Sequence, residues 1–182
     1  MNITTIAWFQ SGITNIPSIV TDLARKTVLN SAIATHEPKF LRDLLGYEFY
    51  KGLQAHVDTV PVVPNPLYDD ILNGVEYRDS NGILQKYDGI KCASSLYIFF
   101  NLLSETATTW NGIGEYAPIA EGGKIISPAR RMSDCWNLMR DSNISLYEFI
   151  ATKQTEYALV VAYVPYSKEA QNLIETTNEY GI

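Results

Sequence analysis

Clustered positive charge, cysteine pairs, histidine motifs and long apolar runs are all missing from this 182-residue chain, and each absence argues against a class of function. No basic run is longer than the pair Arg130-Arg131, and the net charge is −6. Sequence-general nucleic-acid binding needs clustered Lys and Arg to displace counterions from phosphates, so composition speaks against a DNA-coating role. An acidic wall past which DNA slides without sticking stays compatible with it. Cys92 and Cys135 form no Cys-x-x-Cys pair, which leaves no zinc or redox motif, and both read as buried free thiols. The histidines, His36 and His56, fit neither H-x-x-x-H nor H-E-x-x-H. Met1 to Gly12 lacks a basic stretch leading into an apolar core and does not read as a signal peptide. The longest apolar run, Ala158 to Val164, falls far short of the roughly 20 residues that span a bilayer. Neither a cofactor, a metal nor a membrane contact is expected.

What is present is a core-forming composition. Hydrophobic residues reach 46 % and charged residues only 19 %, so the chain is not of the disordered class. Its length suits one domain that needs no disulfide to stay folded. Twelve of the residues are Tyr, which is large and amphipathic and suits surfaces that become buried against a partner.

Periodicity gives a mainly α reading: a helical bundle with a small β-hairpin, an extended arm and a tail. Met1 to Pro17 has no sustained period and reads as an arm or irregular lead-in. The bundle runs from residue 18 to 164. Ser18 to His36 carries an apolar stripe at steps of three and four (Ile19, Leu23, Val28, Ala32). Pro38 then suits the first turn of a new helix, continuing to Val57 through Phe40, Leu44, Phe49 and Leu53, with a bend at Gly46. Asp58 to Pro66 is a proline-rich loop, and Asn65-Pro66 starts a short helix, Leu67 to Leu72, ended by Asn73-Gly74. Val75 to Tyr87 alternates as a hairpin, with Asn81-Gly82 supplying left-handed turn conformations. Asp88 caps a helix from Gly89 to Trp110, the strongest periodic signal in the chain. Asn111 to Ile126 is glycine-rich loop, and Ser127-Pro128 opens a further helix with Met132, Trp136 and Met139 on one face, continued by Leu146, Phe149 and Ile150. Ala158 to Val164 reads as helix or buried strand, and Pro165 separates off a tail, residues 165 to 182.

No catalytic constellation emerges. Gly112-Ile113-Gly114-Glu115-Tyr116-Ala117 matches a dinucleotide fingerprint in letters, but a helix and not a strand is predicted before it. Gly122-Gly123-Lys124 lacks the upstream glycine of a phosphate loop. Asp69-Asp70 sits in the first turns of a short helix, where acids offset the helix dipole, and helix neighbours do not face each other. Asn143-Ile144-Ser145 fits a glycosylation sequon only in letters.

Four stretches carry a resemblance. They are Phe40-Leu41-Arg42-Asp43-Leu44-Leu45-Gly46-Tyr47-Glu48-Phe49-Tyr50, Ile71-Leu72-Asn73-Gly74-Val75-Glu76-Tyr77, Lys86-Tyr87-Asp88-Gly89-Ile90-Lys91, and the final Asn178-Glu179-Tyr180-Gly181-Ile182. In order and spacing these resemble the head–tail connector (neck or adaptor) proteins of tailed bacteriophages, especially crAss-like phages of Bacteroidetes. The first 35 residues depart from that pattern, and the stretch from Asn111 to Ser127 is longer than it. The resemblance implies a non-enzymatic virion protein made in the host cytoplasm. It would form a twelvefold homo-oligomeric ring between the portal protein and the next tail component, with DNA crossing its channel without sequence-specific binding. The expected interface comprises the hairpin residues Arg78, Asn81 and Gly82, and the tail residues Tyr166, Leu173, Ile174, Tyr180 and Ile182. The tail is expected to dock on a partner and not on its own bundle, because its few apolar side chains bury too little surface to offset backbone ordering. Two other readings are a phage-encoded regulator that binds a host protein, and an enzyme whose acids, such as Glu48 and Asp70, converge in a pocket.

Overall fold

The computed structural model describes residues 2–59, 63–106, 109–111, 114–116 and 129–176. Among them are seven α-helices and two small antiparallel two-stranded ladders, so the fold is mainly α with a β-hairpin. The helices are α1 (Leu23–Leu45), α2 (Tyr47–Asp58), α3 (Pro66–Asn73), α4 (Ile90–Thr106), α5 (Ala129–Thr152), α6 (Ala158–Tyr163) and α7 (Lys168–Asn172). The hairpin is β1 (Val75–Arg78) with β2 (Leu84–Tyr87), and β3 (Thr109–Asn111) pairs with β4 (Gly114–Tyr116). No described helix is long and apolar enough to cross a membrane.

The centre of the molecule is the α4–α5 pair, with α1 laid against α4. The core is aromatic: Phe40 stacks on Tyr97 at 5.0 Å, Phe100 meets Trp136 at 4.9 Å, and Phe149 gathers Tyr77, Tyr87 and Tyr157 around it. Such pairs add about 0.5–1.5 kcal/mol beyond the burial of their area.

Several boundaries differ from the sequence reading. Helix α1 starts at Leu23, not Ser18, because the Asp22 carboxylate caps it by accepting from the Arg25 amide at 3.1 Å. It then runs through Pro38, where a new helix was expected. Leu29, Ala32 and Ile33 before the proline and Phe40, Leu41, Leu44 and Leu45 after it are all buried, and that burial outweighs the roughly 3 kcal/mol an interior proline costs. The carbonyl four residues back belongs to Ala34, which is exposed to water. Helix α4 stops at Thr106, and β3, rich in strand formers at Thr109 and Trp110, occupies the end of the expected helix. Of the dinucleotide-like letters, Gly114 to Tyr116 form an antiparallel strand, and the others lie outside the described residues. Most of the expected 111–126 loop lies outside the described residues.

Of the two readings of the N-terminus, arm or irregular lead-in, the described residues fit the second. The segment is irregular, with 3-10 turns at Ile6–Phe9 and Gly12–Thr14, but it is not a free arm. Phe9 is wholly buried, and the Ile3 and Thr4 amides donate to the buried Glu37 carboxylate at 2.9 and 2.7 Å. The Arg131 guanidinium donates to the carbonyls of Ile13 and Asn15 and lies 4.5 Å over the Phe99 ring. The Glu37 and Arg131 hydrogen bonds go to backbone groups, which leave no period in the letters.

Candidate interaction site

The hairpin is held rigidly at its base. Gly74 and Gly89, with φ of 83° and 91°, let two backbone segments cross: a Cβ on Gly74 would collide with the Tyr87 carbonyl, and one on Gly89 would lie 2.7 Å from the Leu72 carbonyl. Tyr87 is buried, stacks on Phe149 at 5.8 Å and donates its hydroxyl to the Ile71 carbonyl at 3.1 Å. Tyr77 packs on the same ring at 5.5 Å, and Lys91 Nζ donates to Asn73 Oδ1 at 2.6 Å.

From this base the strands pair in the register Val75 with Tyr87 through Arg78 with Leu84. The turn is a three-residue connection. The Gly82 amide donates to the Asp79 carbonyl at 2.9 Å, the Asp79 amide to the Ile83 carbonyl at 3.0 Å, and Gly82 alone takes a left-handed φ of 77°. The expectation that Asn81 shares that conformation is corrected. Asn81 instead donates its amide to the Asp79 carboxylate, as does Ile83, both at 2.9 Å. Those N–H groups, Ile83 foremost, hold the Asp79 carboxyl below its ordinary range. Arg78 Nη1 donates to the Gly82 carbonyl at 2.7 Å. Beyond the turn, Ile83 and Leu84 are each 57 % exposed, an unusual place for two large aliphatic side chains.

A second surface includes Asp88, the residue that follows β2. A cleft of about 760 Å³ opens between the N-terminal 3-10 turns, the start of α4 and the middle of α5. Trp8 and Leu138, 38 % and 48 % exposed, give it apolar walls. Asp88 and Asp141 stand at it as carboxylates, Ser95, Ser142 and Ser145 supply hydroxyls, and Cys92 lines it as a half-buried free thiol. None of its described lining residues is basic. The sequence reading missed this cleft, because it draws on three segments far apart in the chain.

The tail is corrected through Glu175. Ala170 and Leu173 are buried on the chain's own bundle, with α7 against α1. The carbonyls of Leu173, Ile174 and Glu175 accept from Asn143 Nδ2, Arg140 Nε and Trp136 Nε1 at 2.9, 3.0 and 2.8 Å. The expectation counted apolar side chains only, whereas these three hydrogen bonds and a buried Ala add the missing stabilisation. Leu173 is thereby withdrawn from any interface, Ile174 is half-buried, and Tyr166 stays 90 % exposed. Tyr180 and Ile182 lie outside the described residues.

The acids named for an enzymatic reading do not converge. Glu48 is exposed, and Asp70 pairs with Lys153 at 3.1 Å. His56 Nε2 lies 2.9 Å from Asp69 Oδ1, but the other Asp69 oxygen accepts the Asn65 amide at the start of α3, a capping arrangement. Burial pushes the Cys135 thiol up to about 11, so it is a poor nucleophile. Among the described residues no group of His, Cys, Asp and Glu is placed to hold a metal ion. No protein-family model, curated protein or solved structure matches the chain, and its function is argued from its own surfaces.

Proposed function

We propose that this chain is a structural subunit of a tailed-phage neck, assembling as a homo-oligomeric ring between the portal protein and the tail and extending the DNA channel. The observation that carries the reading is the hairpin: anchored at its base, it leaves Ile83 and Leu84 exposed beside its turn. A ring subunit must offer two different faces that meet head to tail. A hairpin with exposed Ile83 and Leu84 and a separate Trp-walled cleft supply such a pair. The net charge of −6 suits a channel that DNA crosses without adhering. The letters behind the neck resemblance, Asn73-Gly74 and Asp88-Gly89, coincide with the crossing that fixes the hairpin. Twelvefold symmetry, and contacts with the portal and further tail rings, follow from that resemblance.

The test is a mass-spectrometric inventory of purified particles. The chain is expected at a stoichiometry matching the portal. Its presence in infected-cell lysate and absence from particles overturns the proposal in favour of a free binding module or an enzyme.

A further inference from the structure

We infer that the hairpin tip of one copy seats in the Trp8–Leu138 cleft of a second copy, so that chains join head to tail. The inference rests on the ring reading and names the contact that makes it.

The two surfaces match in chemistry. The tip offers Ile83 and Leu84 with the Arg78 guanidinium beside them; the cleft offers Trp8 and Leu138 with Asp88 and Asp141. Arg78 commits one N–H to the Gly82 carbonyl, which leaves the rest of its five donors for an incoming carboxylate. Asp88 and Asp141 are paired with Lys86 and Arg140 at 2.6 and 2.7 Å, but all four side chains are at least 29 % exposed. Exposed pairs contribute about 0–1 kcal/mol, so exchanging one for an interfacial Arg costs little. An aromatic wall and an Arg at the centre of a desolvated contact are what strong interfaces favour.

A copy cannot fill its own cleft. Leu84 and Asp88 are four strand steps apart, about 13 Å at the usual rise. The Gly74–Gly89 crossing and the Tyr77 and Tyr87 rings on Phe149 keep the hairpin from bending back across that gap. A knob and a hole held apart on one rigid body are satisfied by different neighbours, and repetition gives a ring where the rotation closes and an open filament where it does not.

The free thiol of Cys92 inside the cleft provides the test. The Leu84→Cys chain, altered at an exposed position, is treated with diamide, a two-electron thiol oxidant, at mildly alkaline pH, because burial raises the Cys92 thiol. Disulfide-linked dimers and higher species are expected on a non-reducing gel, lost in Leu84→Cys combined with Cys92→Ser. Circular dichroism confirms that both variants fold. A second arm mixes Arg78→Glu chains with Asp141→Lys chains, and the cross-linking lost in the first alone is expected to return. Absence of any Cys92-dependent species overturns the inference, whether or not the chain is found in particles. Cys92-linked species from a chain absent from particles keep the contact and overturn the neck reading.

Discussion

Glu37 sits among core helices with its two carboxylate oxygens accepting the amides of Ile3 and Thr4. Burial pushes its carboxyl above the ordinary 4.5, and the hydrogen bonds from Thr4 and Ile3 pull the other way without prevailing. A raised folded-state value means that the folded chain holds the proton more tightly than the unfolded one. The stability this brings is full below about 4.5 and is lost as pH rises through the folded value. Glu37→Gln, with one acceptor for two amides, is expected to cost about 1–3 kcal/mol by leaving a buried N–H unpaired. Denaturant midpoints measured across the acid range should show the wild-type advantage growing as pH falls. A gap that stays constant with pH would refute this account. A second residue-scale expectation separates two glycines of similar φ. Gly82→Ala meets open space and costs only the left-handed strain of about 1–2 kcal/mol. Gly74→Ala also meets the Tyr87 carbonyl, so its melting point should fall further. Equal losses would mean that the crossing is slack.

At the scale of elements, legibility followed the kind of force involved. The hairpin was readable because alternation and a turn dipeptide are local signals, and α3 was readable from Asn65-Pro66 and Asn73-Gly74. Pro38 misled, because its intrinsic cost is visible in the letters while the burial on both sides of it is a tertiary fact. The tail misled for the complementary reason: its hydrogen bonds run from backbone carbonyls to Asn143, Arg140 and Trp136, and backbone acceptors have no letter. A chain ending at Val164 is therefore expected to melt well below the full chain, and Leu173→Ala alone to cost about 2–4 kcal/mol. An unchanged midpoint in the truncated chain would restore the picture of a tail that docks elsewhere. The hairpin face of the candidate site was legible, whereas the cleft was not: Trp8, Asp88 and Leu138 share no period and meet only through the fold.

For the whole molecule, the Arg131 clamp has a consequence in time. It holds the Ile13 carbonyl across a separation of 118 positions, so a segment made well before α5 is among the last to find its place. The same holds for the cleft, whose walls come from residues 7–14, 88–96 and 138–145. The hairpin strands pair locally, but their base rests on Phe149 of α5 and is anchored only after that helix is made. A growing chain thus completes both the hairpin's anchor and the cleft only once α5 has been made.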